Sequence, residues 1–357
     1  MKNSLKLNMK SAAILASAIF AVTGHCADVP TSARLEVIEI SGTGLLDNPL
    51  QDPVKRRLAA FFPAQYESDQ EIPVVYYLNG YGCSSENLIR SSKVWLDLVQ
   101  RASDEVTPFI LVAVDARTRW GCSQYIDSPA QGNYATYICD EIVPAFEQSH
   151  HLNLKASERL IAGHSSGGFG ALRVAMMRKK LFGAVIALSP DSDFPTTHLP
   201  PIQASHMKDT TPAEVEKMIA TPLSSWSDKW NSEMMFIGLS AAYAPAGPDH
   251  PGKFEWLYND KGEFQQSVWQ RWLENDPLTI VREHEDAFAP DQRIYLDGAA
   301  LDEWGANIGA RKIYEVLIAR HAQCAFYEPP GHHGEHQQDR LQRGLAWVFN
   351  KPMLDIK

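Results

Sequence analysis

Apolar and polar positions alternate in two rhythms along the first half of the chain. Short runs rich in apolar and β-branched residues at 35–40, 56–62, 73–78, 108–114, 159–162 and 182–188 read as strands. Between them, 86–101 and 134–148 carry apolar residues at helical spacing, and 169–177 reads as a helix. Residues 46–53, Leu-Asp-Asn-Pro-Leu-Gln-Asp-Pro, form a turn-rich connector. The rhythm breaks over 192–290. It resumes with a strand at 293–296, a helix over about 306–320, a last strand at 323–327 and a closing helix at 339–349. Strands alternating with helices predict an α/β fold, a mostly parallel central sheet with helices on both faces. In such sheets ligands bind beyond the carboxyl ends of the strands. Asn79-Gly80, Asp115, Ser165 and Ser189-Pro190-Asp191 fall at those ends.

Residues 192–290 hold prolines, a polar helix candidate at 212–220, and Trp226, Trp230, Trp256, Trp269 and Trp272, with no clear strand. No flexible linker flanks the segment. It reads as a helical or irregular insertion over the active edge, within a single domain spanning 28–357. Its tryptophans read as local core rather than stacking platforms, because an insertion needs apolar anchors of its own.

The N-terminus differs in kind. Lys2, Lys6 and Lys10 precede an apolar stretch of small residues at 11–24, too short to span a bilayer comfortably and followed at once by polar sequence. Residues 1–27 therefore read as a signal peptide, with cleavage after Gly24 or Ala27. His25 before Cys26 fits a lipoprotein signal poorly. The mature chain is expected to be secreted or periplasmic, with no stable membrane insertion. In an oxidising compartment Cys83, Cys122, Cys139 and Cys324 can pair. Cys83–Cys122 is the favoured bond because both residues follow strands expected to be neighbours, with four free thiols as the alternative. There is no C-x-x-C, so no zinc knuckle or redox motif is indicated. The 357 residues are 45% hydrophobic, enough for a large core, and the net charge of −10, with no basic stripe, argues against nucleic acid as a partner. Oligomeric state is not legible.

The chemistry centres on Gly163-His164-Ser165-Ser166-Gly167-Gly168, between a predicted strand and a predicted helix. Strand, G-x-S-x-G, helix is the nucleophile-elbow pattern: the glycines clear a tight turn that lifts Ser165 above the sheet. The helix N-terminus and the Ser166 N–H can face a developing oxyanion. A serine hydroxyl also needs a base, and the base an acid to hold its tautomer. The chain supplies both in α/β-hydrolase order. Asp297, Asp302 and Glu303 follow one strand, and His332 and His333 follow the last. Asp302 is the favoured acid over Asp297, which could instead cap a turn, and over Glu303. His333 is favoured over His332 as base, and His336 is expected to face solvent. A metal cluster of His332, His333, Glu335 and His336 is disfavoured because the spacing is not H-E-x-x-H and the glycines indicate a loop. The second oxyanion donor is placed at the Tyr81 N–H, in the Asn79-Gly80-Tyr81-Gly82 turn. No metal or cofactor is expected.

These residues resemble the esterase D / antigen 85 type of esterase, a branch of the α/β-hydrolase superfamily, over roughly 35–350. The likeness rests on Asn48–Pro53, Phe62-Pro-Ala-Gln-Tyr66, Pro73–Gly80, Asp115–Ser123, Ser128–Tyr134, the elbow, Tyr295-Leu-Asp-Gly with Asp302-Glu303, and the Pro330-Gly-His-His loop. Where that family usually has His-Gly or Asp-Gly after the third strand, this chain has Asn79-Gly80, which keeps the Tyr81 donor but changes its neighbour. The resemblance supports Asp302 and, through a histidine that commonly follows two small residues, favours His333 over His332. It implies acyl-ester chemistry. The expectation is an exported serine esterase acting on a small-molecule or glycan-linked ester. The rival readings are an acyltransferase of the mycolyltransferase type and a non-catalytic binding protein that keeps the fold.

Overall fold

The computed structural model describes residues 32–67 and 70–352; the signal segment read at 1–27 lies outside them. Eight strands form one sheet: β1 (Arg34–Ser41), β2 (Lys55–Phe62), β3 (Val74–Leu78), β4 (Ile110–Ala113), β5 (Arg159–His164), β6 (Ala184–Leu188), β7 (Arg293–Asp297) and β8 (Cys324–Tyr327), in the order β1-β2-β4-β3-β5-β6-β7-β8. β2 runs antiparallel to β1 and β4, and every pairing from β4 to β8 is parallel. The helices that position the site are α1 (Ser92–Glu105), α2 (residues 134–149), α3 (Ser166–Met177), α4 (Asp228–Tyr243), α5 (Gln266–Leu273), α6 (Ala306–Ala319) and α7 (Gln337–Val348).

Central strands such as Val74–Leu78 are apolar at every position because both faces of the sheet are covered. The side-chain period of two sorts them: Val74, Tyr76 and Leu78 pack with α2, α3 and α6, whereas Val75 and Tyr77 pack with α1 and α7. On α1 the buried residues Trp95, Leu98, Val99 and Ala102 recur at helical spacing, and the Trp95 ring lies 5.0 Å from that of Tyr77. α3 is buried on nearly all sides, since the insertion covers the face turned from the sheet; Phe169 belongs to the insertion's core.

Residues 192–290 add helices and a second apolar core, as their composition predicts. Trp226, Trp256, Trp269 and Trp272 are buried there, and Trp226 stacks on Trp120 with ring centroids 5.6 Å apart. The indole N–H groups of Trp226 and Trp256 donate to the carbonyls of Met218 and Met207. Trp230 is half-buried and donates to Glu214. The favoured Cys83–Cys122 disulfide is not formed, and all four described cysteines are free. The Cys122 sulfur is turned into the core, where it accepts from the Gln124 N–H and burial pushes the thiol up to about 12, while Cys83 lines the cavity described below.

The register levels the strand ends. Leu78 pairs with Gly163, His164 with Leu188, Leu188 with Asp297, and Asp297 with Tyr327. The loops after β3, β5, β6, β7 and β8 therefore leave the sheet side by side. The α3 helix can start immediately beyond β5 because two positions carry no side chain. A Cβ on Gly167 would lie 2.0 Å from the Leu78 carbonyl oxygen, and one on Gly163 2.2 Å from that of Gly167. Both obstacles are backbone, so neither can swing aside. Gly167→Ala is expected to destabilise the fold by about 1–3 kcal/mol, the usual cost of overpacking, read as a lowered Tm. An unchanged Tm would show that this close approach is not needed.

Candidate active site

Ser165 occupies the turn between β5 and α3 with φ 59° and ψ −125°, a conformation that L-residues avoid. The strain is held from both sides: the Ser165 N–H donates to the Leu188 carbonyl at 2.9 Å, and the Ser165 carbonyl accepts from the Phe169 N–H at 2.9 Å. The hydroxyl side chain is thereby directed to a cavity of about 530 Å³ that Ser165 lines together with Tyr81, Ser166 and His333.

The histidine loop brings its partners from three directions. His333 Nδ1 lies 2.8 Å from an Asp302 oxygen, and the Asp302 side chain has no solvent exposure. The other Asp302 oxygen accepts from the N–H groups of Trp304 and Ala306, the latter opening α6. Burial pushes the Asp302 carboxyl up, but the bonds from His333, Ser189 and Ala306 outweigh it and hold the carboxyl below its usual range. A carboxylate on Nδ1 fixes the imidazole with its proton there and leaves the Nε2 lone pair free. Glu303 accepts from the backbone N–H of His333 at 3.1 Å. Asp297 is engaged elsewhere: both its oxygens take the buried Arg340 guanidinium, at 2.6 and 3.0 Å. His332 is exposed, 3.6 Å from Glu303, and His336 is exposed as expected. Of the candidate acids and bases, the structure thus joins Asp302 to His333.

Two residues that complete this arrangement are not singled out by the sequence reading. Arg340 spans the loop ends: besides Asp297 it donates to the His333 carbonyl at 3.0 Å and to the Ser189 hydroxyl at 2.7 Å. Its sequence signal is a charged residue on the stripe of α7 that also carries Leu341, Gly344 and Leu345, all buried. His164, the first variable residue of G-x-S-x-G, donates from Nε2 to the same His333 carbonyl at 2.8 Å and accepts from Gln337 on Nδ1 at 3.3 Å. Burial, with the nearby His333 and Arg340, lowers the His164 pKa to about 3, so its ring is neutral.

The turn after β3 is fixed equally firmly. The Asn79 side-chain amide donates to the Val114 carbonyl, and its own carbonyl accepts from the Tyr125 hydroxyl. Tyr81 turns its ring away, its hydroxyl donating to the Trp120 carbonyl, so its backbone is held at the cavity wall. Ser166 is the first residue of α3, where an N–H has no partner within the helix. Leu88 and Trp95 close the cavity on one side; Met235 and Leu239 of α4 contribute from the insertion, and Trp304 stands half-exposed at its rim. None of the insertion's five tryptophans lines it.

Sheet order, elbow and loop placement define an α/β-hydrolase fold. The family model described as "Putative esterase" matches residues 53–338, and the chain belongs to that family of hydrolases. Mouse (Mus musculus) S-formylglutathione hydrolase is 27% identical over 155 residues, 38% of this chain and 52% of that protein, so the match spans about half of the relative's length. Among solved structures, a ferulic acid esterase superposes with TM-score 0.58 at 19% identity, covering 90% of this chain and 99% of that one. The substrate-bound fluorophosphonate-binding serine hydrolase F of Staphylococcus aureus superposes with TM-score 0.57 at 15% identity, covering 90% and 100%. At these identities the superpositions speak for the fold.

The buried neutral His164 has a consequence for stability. The unfolded chain takes up a proton there near 6.5, the folded chain only near 3, so between those values the unfolded state binds more protons and stability falls as pH falls. Between pH 7 and 5 this group accounts for a loss of about 2 kcal/mol. Urea unfolding at the two pH values should therefore show a smaller loss for His164→Gln than for the wild type. Equal losses would mean that His164 is charged in the fold.

Proposed function

We propose that this protein is an exported serine esterase that hydrolyses a carboxylic ester through an acyl-enzyme on Ser165. Ser165 Oγ attacks the ester carbonyl while His333 Nε2 takes its proton, and Asp302 stabilises the imidazolium. The tetrahedral oxyanion accepts hydrogen bonds from the Tyr81 and Ser166 N–H groups. Collapse expels the alcohol, which leaves with the proton from His333. Water then repeats the sequence on the acyl-enzyme and frees the acid. The observation that carries this reading is the 2.8 Å bond from Asp302 to His333 at the wall of the cavity that the strained Ser165 also lines. The arrangement needs no cofactor. Family membership supports ester chemistry; the roles of the individual residues are our assignment.

Hydrolysis of p-nitrophenyl acetate tests it. Ser165→Ala and His333→Ala should lose essentially all turnover, and Asp302→Asn should lower kcat by a factor on the order of 10³–10⁴, as for other triads. His332→Ala should stay within a few-fold of wild type. Wild-type rates in Ser165→Ala would refute the assignment.

Export rests on the N-terminal charge and hydropathy pattern. N-terminal sequencing of the full-length chain expressed with its own N-terminus should find the mature protein starting after Gly24 or Ala27. Retention of Met1 and Lys2 on the folded protein would count against it.

A further inference from the structure

The mouth of the cavity carries apolar surface that the fold leaves open. Trp304 lines the cavity and is nevertheless 47% exposed. Among the described residues its ring pairs with no other aromatic ring, and its indole N–H has no protein acceptor. The tryptophans of the insertion differ: Trp226, Trp230 and Trp256 all donate to protein oxygens. Leu301, 61% exposed, precedes Trp304 by three residues, and Ile308, 43% exposed, follows it by four. The Ile308 side chain reaches back to the intervening turn, its Cδ1 3.8 Å from where a Cβ on Gly305 would lie. Exposed apolar side chains scattered singly are ordinary, whereas a group of them marks a contact surface. These three fall within eight residues, in the loop that also carries Asp302.

The backbone under this surface is fixed. The N–H groups of Ala300 and Leu301 donate to the carbonyls of Pro329 and Gly331 at 2.8 and 2.9 Å, in the loop that leads to His333. The Trp304 N–H donates to the Asp302 carboxylate at 3.0 Å, and the Gly305 N–H to the Asp302 carbonyl at 3.1 Å. Gly305, at φ 72°, then turns the chain into α6. Trp304 is therefore carried by the same residue that holds His333. The apolar surface also continues inwards. Pro201 and Met235, both half-buried, and Leu239 line the cavity with Trp304, and Leu88 and Trp95 line it too. No lysine or arginine lines it, so nothing there pairs with an anionic substrate group. A cavity of about 530 Å³ is in the range that holds drug-sized ligands on mostly apolar walls. An acetyl ester of a small alcohol would leave most of it empty and would not reach its mouth.

We propose that Trp304 is a specificity-determining residue which, with Leu301 and Ile308, holds the outer part of a long alkyl chain on the ester, so that the protein prefers such esters to short ones. As a statement about turnover this rests on the serine esterase reading; as a statement about binding it does not. The chain can belong to the acid or to the alcohol, and two series separate these cases. Ethyl octanoate and octyl acetate are each compared with ethyl acetate, below their solubility limits. Alkyl esters of this kind differ little in intrinsic reactivity, and each buried methylene strengthens binding by about fourfold. In wild type kcat/KM should favour the long ester by at least about tenfold in one series. That ratio should fall at least about fivefold in Trp304→Ala and be largely kept in Trp304→Phe, which retains an apolar ring. Should Trp304→Ala not fold, the double substitution Leu301→Ser and Ile308→Ser, at two exposed positions, should also lower it. No gain with length in either series, or a gain that Trp304→Ala or, in its place, the double variant leaves intact, overturns the proposal. A measurement without turnover separates it from the esterase reading. Ser165→Ala is labelled with 5-fluorotryptophan, and the fluorine resonance of residue 304 is identified by its loss in Trp304→Phe. Octan-1-ol should shift that resonance where ethanol at the same concentration does not, a result that supports the subsite even if no ester is hydrolysed. A resonance that octan-1-ol leaves in place overturns it even if esters are hydrolysed.

Discussion

The candidate site depends on one buried guanidinium. Arg340 has no solvent exposure, and its charge is met by both oxygens of Asp297, also fully buried, at the end of β7. Its remaining donors go to the Ser189 hydroxyl after β6 and to the carbonyls of His333 and Glu335 in the loop after β8. Removing one partner from such a pair costs about 3–5 kcal/mol, several times the worth of an ordinary hydrogen bond. The loop that carries His333 is thus tied to the sheet by an interaction too expensive to leave half made. His164 adds a second bond to the His333 carbonyl from the strand that ends in Ser165. The His333 loop and the elbow are therefore referenced to each other through the backbone of His333 as well as through a shared cavity.

The three acidic residues after β7 divide the work by environment. Asp297, at the strand end, neutralises Arg340. Asp302 is buried against His333 Nδ1 and anchored by the start of α6. Glu303 stays exposed and takes the His333 N–H. Two carboxylates thus hold the backbone around His333, and one faces its ring. The same economy governs the histidines: His164 is kept neutral by burial, so it adds no positive charge to a site that already holds Arg340.

Much of this was readable in the chain. The strands emerge from dense apolar runs because a sheet covered on both faces requires them, and the structure starts and ends them within about two residues of the pattern. G-x-S-x-G, an acid after β7 and a histidine after β8 locate Ser165, Asp302 and His333, since chain order and strand ends constrain which loops can meet. The insertion's tryptophans were legible as core for a similar reason: a segment without strands needs large apolar anchors. What sequence could not show depends on tertiary geometry. Asp297 and Asp302 are distinguished only by Arg340, 43 residues further on. His333 and His332 are neighbours in the chain, and only the direction of the loop turns one ring inwards. The Cys83–Cys122 pairing failed because neighbouring strands do not fix where the loops beyond them aim a sulfur.

The reading of this cavity as an active site is tested most directly by the chemical reactivity of the Ser165 hydroxyl. The measurement is the rate at which a fluorophosphonate modifies the protein, followed by intact mass and peptide mapping, in wild type and in Arg340→Met at a temperature where both retain native near-UV circular dichroism. The expected result is a single adduct on Ser165 in wild type and a rate lowered at least about tenfold in folded Arg340→Met. Equal rates in the two proteins, or an adduct on any residue other than Ser165, would contradict it.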